Sequence, residues 1–154
     1  RRARVQHPSR HRMVSELWPA GSRIGGHCLG MGLEPLLIGA PNESEWLRAC
    51  APDGIRIVQP THLHQLADVL AGARALLTNT SSMQFLAASM GTPVLTLMGR
   101  ARPEIWGPVG PRDKVVSGTP PPDLAHDIFA QEQAAYESIS LTAVEAAFES
   151  LVHD

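Results

Sequence analysis

Short apolar blocks alternate along this chain with segments of helical spacing, and that alternation constrains the fold more than any single motif. Leu36–Ile38, Ile55–Val58, Ala75–Thr78 and Val94–Met98 are the clearest blocks, with shorter candidates at Arg4–His7 and Lys114–Val116. Apolar runs of this length without polar alternation read as strands buried on both faces. Between them Leu63, Leu66, Ala67 and Leu70 recur at i, i+3, i+4 and i+7, as do Met83, Leu86, Ala87 and Met90. That spacing lays apolar side chains along one helical stripe. Alternating strand and helix with buried strands predicts an α/β fold, a doubly wound parallel sheet with helices on both sides. In such sheets the loops leaving the C-terminal strand ends gather on one edge, where ligands bind. Here those loops are 8–17, 39–44, 59–62, 79–82 and 99–110.

Several boundaries carry their own chemistry. Asn42, three residues before Glu45, predicts a capped helix running through Cys50, and Thr61 predicts the cap of the next. Gly91-Thr92-Pro93 predicts a left-handed stop that releases the chain into a strand. Trp18-Pro19 suits a helix start, although Gly21, Gly25, Gly26 and Gly30 weaken the helix it would begin. Residues 99–113 read as a loop and 117–136 as irregular or partly helical. From Leu141 the positions Val144, Phe148, Leu151 and Val152 line one face of a closing helix that Ser140 can cap.

Composition excludes several classes. With 154 residues, 44% of them apolar, the chain can bury one ordinary core. No run approaches the ~18 apolar residues of a membrane span, and no apolar signal core stands behind the opening arginines. A cytoplasmic setting is therefore expected. Cys28 and Cys50 have neither CxxC spacing nor a nearby ligand cluster, so free buried thiols are expected rather than a disulfide or a metal site. Arg1, Arg2, Arg4, Arg10, Arg12 and Arg23 make the beginning basic against the single acid Glu16. The aromatic-with-basic interleaving of a nucleic-acid platform is missing, so no nucleic-acid partner is expected. A strand almost at the first residue suggests the second half of something larger.

The edge loops hold the candidate site. Thr80, Ser81 and Ser82 fall at a helix start, where unpaired amides and the positive end of the dipole favour an anion; Ser or Thr there is equally a plain cap. No Gly-rich phosphate loop strengthens the anion reading. Arg100 and Arg102 leave the adjacent strand and can add positive charge, while Glu43 can accept hydrogen bonds from ribose or sugar hydroxyls. Their bland alternatives are exposed arginines and a carboxylate drawn to a helix start. Trp106-Gly107-Pro108 can wall a nucleobase or pin a turn. His62 and His64, two apart, would not share a helix face, which argues against a paired metal role.

The succession "HPS…LWP", "LLIGAPNESE", "THLHQLADVLAGARALLTNTSSMQFLAASMGTPVLTLMG", "RPEIWGPVG" and "ISLTAVEAAFESL" resembles the C-terminal half of glycosyltransferase family 9, the ADP-heptose:lipopolysaccharide heptosyltransferases. The resemblance covers nearly all of residues 4–152. It implies a Rossmann-like domain, the C-terminal half of a GT-B enzyme, which holds the nucleotide sugar while an N-terminal domain receives the acceptor. On that implication the chain is the donor half, Thr80, Ser81, Ser82, Arg100 and Arg102 meet the diphosphate, and Glu43 and Trp106 meet the nucleoside. No catalytic residue is expected here, because the family's acidic base belongs to the N-terminal domain, and an isolated chain should not turn over. Neither metal nor cofactor is implied. The implied partners are an ADP-sugar and, through the N-terminal domain, a lipopolysaccharide-type acceptor, with peripheral contact at the inner face of the cytoplasmic membrane.

The match is incomplete where chemistry matters. Where the family has Asp or Asn, Ser/Thr-Gly and, three residues after that glycine, His, this chain has Thr80, Ser81, Ser82 and Phe85. The family lysine two residues before Trp-Pro falls on Glu16. Glu43 does match the acidic residue of the family's Gly-x-Pro-x-Glu segment, which the resemblance links to the ribose. Two readings stay open: a donor-binding enzyme domain, and a non-catalytic domain of the same fold serving as a binding or scaffolding module.

Overall fold

The computed structural model describes residues 2–6, 23–51, 53–124 and 126–153, with Arg2–Gln6 and Leu124 described by their backbone. Six strands form one parallel sheet: β1 (Arg2–Gln6), β2 (Leu36–Ile38), β3 (Arg56–Val58), β4 (Ala73–Asn79), β5 (Val94–Met98) and β6 (Lys114–Ser117). Their order is β3-β2-β1-β4-β5-β6, the doubly wound arrangement in which the direction of winding reverses at the first strand. The helices are α1 (Arg23–Gly30), α2 (Ser44–Cys50), α3 (Leu63–Ala71), α4 (Ser82–Ser89), α5 (Pro103–Trp106), α6 (Ile128–Glu137) and α7 (Leu141–His153), with short 3-10 turns at Pro41–Glu43 and Pro122–Leu124.

Alternation along the central strands sends side chains into two cores. Ala75 and Leu77 of β4, with Leu95 and Leu97 of β5, pack with Ile24, Cys28, Tyr136, Phe148 and Leu151 from α1, α6 and α7. Leu76 and Val94 face the other way, onto Leu70, Met83 and Ala87 of α3 and α4. A strand covered on both sides must be apolar at consecutive positions, which is why these blocks stand out in the sequence.

Most expected boundaries hold within a residue or two, as at Leu36–Ile38, Val94–Met98 and the helix from Leu141, whose Ala143 amide donates to Ser140 Oγ at 3.2 Å. Gly91, at φ 69°, ends α4 as expected. The amides of Gly91 and Thr92 donate to Ala88 and Ala87 at 3.0 and 2.9 Å, the paired bonds of a glycine helix stop.

Other expectations are corrected. Asn42 does not cap α2; it lies in the 3-10 turn, and Glu43 reaches back so that its Oε2 accepts from the Ala40 amide at 2.6 Å. Thr61 does not cap α3 either, since the N-cap residue is His62 and Gln65 Oε1 accepts from the Thr61 amide and hydroxyl, both at 3.0 Å. Met90 leaves the α4 stripe and is 40% exposed. Residues 99–113 contain the single turn α5, which Pro103 can begin because its missing N–H is not needed there. The segment read as irregular holds a ten-residue helix, α6. Cys28 is buried and Cys50 half-buried, and neither is in a disulfide. Glu16, Trp18, Pro19 and the loop 8–17 lie outside the described residues, as does His7 of the first expected strand.

Candidate functional site

The winding reverses between β1 and β4, so the C-terminal ends of the central strands open a crevice there. The loop leaving β4 and the start of α4 form one wall. Ser81 caps α4, its Oγ accepting from the Met83 amide at 3.3 Å and lying 3.3 Å from Thr78 Oγ1. Ser82 is the first helical residue and is exposed. Thr80 Oγ1 is buried. It lies against the Tyr136 phenol, whose pKa is pushed up to about 12, first by burial and then by the nearby Glu132 charge, with Thr80 and the Gly99 backbone working in the opposite direction. Thr80–Ser82 is thus both a cap and a helix start able to receive an anion.

The loop leaving β5 stands beside it, because Asn79 of β4 pairs with Leu97 of β5. Arg100 is exposed; its Nε donates to Gln131 Oε1 at 2.6 Å and its backbone amide to Glu132 Oε2 at 2.9 Å. Arg102 precedes α5 as its N-cap residue and is exposed. Trp106 closes that turn with 56% of its surface exposed. Its carbonyl accepts from Gln84 Nε2 at 2.7 Å, while Gln84 Oε1 accepts from Thr96 Oγ1 at 2.9 Å. Gln84, 1% exposed, therefore fastens the Trp106 turn to α4 and β5.

On the far side of α4 lies an apolar cavity of about 270 Å³ whose walls include Ile38, Ala40, Pro60, His62, Leu66 and Met83. Consecutive residues of α4 serve the two sides: Met83 lines the cavity and Gln84 holds the Trp106 turn. Glu43 stands next to this cavity through its bond to Ala40. The structure thus brings Thr80, Ser81, Ser82, Arg100, Arg102 and Trp106 to the β4–β5 strand ends. It sets Glu43 two strands away beyond β1, roughly 10 Å at ordinary strand spacing. Glu43 and Trp106, paired as nucleoside contacts on the resemblance, follow different strands, β2 and β5.

The two histidines do meet. His62 is the extended residue before α3 and His64 lies in its first turn, so their rings stack with centroids 5.5 Å apart. The helix-face argument fails here because His62 is outside the helix. Among the described residues no group of three or more His, Cys, Asp or Glu side chains could hold a metal ion. No helix among them is long and apolar enough to cross a membrane. Phe85, at the position of the family's histidine, is 41% exposed on α4, in keeping with its place off the buried stripe.

Sequence reasoning passed over Gln84, Gln131, Glu132 and Tyr136. Gln84 carried a signal, a polar residue inside an apolar helical stretch beside Met83. The α6 residues carried none, since their partners lie 31 to 39 positions away in the chain.

The model of glycosyltransferase family 9 (heptosyltransferase) matches residues 29–128. Among curated proteins none matches the chain. Among solved structures, the chain is similar to a glycosyl transferase of family 9 from Veillonella parvula DSM 2008, with 19% identity and a TM-score of 0.79 over 99% of this chain and 46% of that one. It is also similar to E. coli heptosyltransferase WaaC with ADP, with 22% identity and a TM-score of 0.72 over 97% and 44% of the two chains. E. coli ADP-heptose lps heptosyltransferase II gives 18% identity and a TM-score of 0.77 over 99% and 47%. The chain spans less than half the length of each of these proteins.

Proposed function

Because the chain belongs to glycosyltransferase family 9, we propose that it is the donor-binding half of a two-domain heptosyltransferase-like enzyme that moves a sugar from an ADP-sugar to a lipopolysaccharide-type acceptor. The observation that carries this reading is the pairing, across α4, of an apolar cavity on the Met83 side with a hydroxyl-lined helix start and two arginines on the other. An apolar slot suits a planar base, and a helix start with guanidinium groups beside it suits a diphosphate. In this arrangement the base enters the cavity and Glu43, turning at its rim, takes the ribose hydroxyls. The amides of the Thr80–Ser82 turn, with Arg100 and Arg102, take the diphosphate. They stabilise the negative charge that grows on the leaving nucleotide as the sugar departs. Trp106 then borders the sugar end rather than the base.

Deprotonation of the acceptor hydroxyl falls to an acidic residue of the other half. The same half carries the acceptor and peripheral contact with the inner face of the cytoplasmic membrane. The second reading, a binding or scaffolding module, is favoured by Phe85, which offers no imidazole at the site edge.

Titration of the chain with ADP, GDP and UDP, monitored by NMR, tests the reading. Half a cleft should bind ADP with a dissociation constant of about 0.1–1 mM, near −4 to −5.5 kcal/mol. Shifts are expected at the amides of residues 80–84 and at Ala40 and His62. No shift there with any nucleotide at several-millimolar concentration rejects the donor site and leaves the scaffolding module.

A further inference from the structure

Beneath the β4–β5 edge, one face of α6 touches both loops of the anion end. Glu132 Oε2 accepts from the Arg100 amide at 2.9 Å, and Gln131 Oε1 accepts from Arg100 Nε at 2.6 Å. One turn further on, Tyr136 donates to the Leu97 carbonyl at 3.2 Å and lies against Thr80. Room for this contact comes from Gly99, where a Cβ would stand 2.7 Å from Glu132 Cδ and 2.8 Å from Tyr136 Cε2. Any side chain at position 99 would have to displace the Glu132 carboxylate and the Tyr136 ring.

Both bonds to Arg100 bear on an incoming diphosphate. The Arg100 amide, at the end of a strand and beside the helix start, is already taken by a carboxylate that repels phosphate. The Arg100 guanidinium is held by one nitrogen, which fixes its plane and aims the rest of its fork.

We infer that Gln131 and Glu132 are positioning residues for the diphosphate, Gln131 by aiming Arg100 and Glu132 by acting as a brake that holds the loop while opposing anion charge. This rests on the donor-site reading above. A brake of this kind keeps the product nucleotide, which is more highly charged than the sugar-linked donor, from remaining bound.

The test compares ADP with adenosine on the chain and on Glu132→Gln, which keeps an acceptor for the Arg100 amide and removes the charge. Tyr136 is the single tyrosine of the chain, so 3-fluorotyrosine labelling gives one fluorine-19 signal at this seam, and a resonance at the parent chain's native shift, which moves to the random-coil position in urea, confirms that the variant is folded. ADP affinity should rise about three- to tenfold at low salt, with the gain shrinking as salt is added and adenosine affinity unchanged. Gln131→Ala provides the second arm, with ADP binding weakened several-fold and adenosine unaffected. If the wild-type chain binds both ligands but neither variant alters ADP affinity relative to adenosine, the positioning role is overturned while the donor site stands. If the wild-type chain and both variants bind neither ligand, the donor reading itself falls and takes this inference with it.

Discussion

The two edges of the sheet are built on opposite terms. At the N-terminal edge the chain answers its own polar groups. Thr92 Oγ1 donates to the Leu70 carbonyl at 2.7 Å, and the Asp113 carboxylate accepts from the Val94 and Gly110 amides at 2.9 and 2.7 Å. The Arg74 guanidinium donates to the Val152 carbonyl near the end of α7. At the C-terminal edge Phe85, Ile105 and Trp106 are exposed. One edge is closed by hydrogen bonds between its own loops and helix ends and serves stability. The other leaves apolar side chains exposed, the kind of surface a partner covers.

The contrast breaks most sharply at Asp113. Asp113→Ala leaves two amides without their charged acceptor and should cost about 3 kcal/mol in urea unfolding, with no change in the ADP titration. A variant that loses nucleotide binding while still folded would show that the edges are coupled.

Alkaline pH comes next in size and acts under the C-terminal edge. Tyr136 is raised to about 12 from 10.0, so between those values the unfolded chain has lost its phenolic proton while the folded chain keeps it. The Tyr136 contribution is intact below pH 10 and should be lost as pH rises toward 12, by up to about 3 kcal/mol for a shift of this size. Cys28, raised from 9.0 to about 11 mainly by burial, acts in the same direction over its own range. Tyr136→Phe should flatten the upper part of the slope in denaturation measured from pH 9 to 12.

Phe85→His sharpens the comparison at smaller cost. With 41% of its surface exposed, Phe85 should change stability by less than about 1 kcal/mol, while nucleotide affinity responds. A loss near 3 kcal/mol would mean that the ring is packed and the edge is structural there. The smallest stability effect belongs to Trp106→Ser, within about 0.5 kcal/mol, because Gln84 holds the Trp106 carbonyl rather than its ring. Sedimentation should show weak self-association of the parent chain, lessened by the substitution. A strict monomer in both forms would deny that the exposed apolar edge seeks a partner domain.

The fold was legible where burial is two-sided, as in β4 and β5, because both cores write apolar residues into the same few positions. It was not legible at α6. Ile128 and Phe129 are exposed while Ala135 and Tyr136 are buried, so the apolar residues do not mark the packed face. Site loops could be placed from topology alone, yet their internal bonding could not. Whether Glu43 turns back on Ala40 depends on a local 3-10 turn in place of the expected cap, and whether Glu132 meets Arg100 on side-chain reach across segments that the sequence does not relate.

The strand order has a consequence in time as well as in space. β1 is first in the chain yet third in the sheet, and both neighbours, β2 and β4, come after it in sequence. Until Arg2 finds Ala73, the sheet is two fragments, β3-β2-β1 on one side and β4-β5-β6 on the other. Closing so long a loop adds little to the equilibrium cost but slows the search. During synthesis β1 waits with at least one open edge until β4 has been made, and an open edge is what another chain can pair with. The strand that joins the two halves of the sheet is thus also the one on which misassembly would begin.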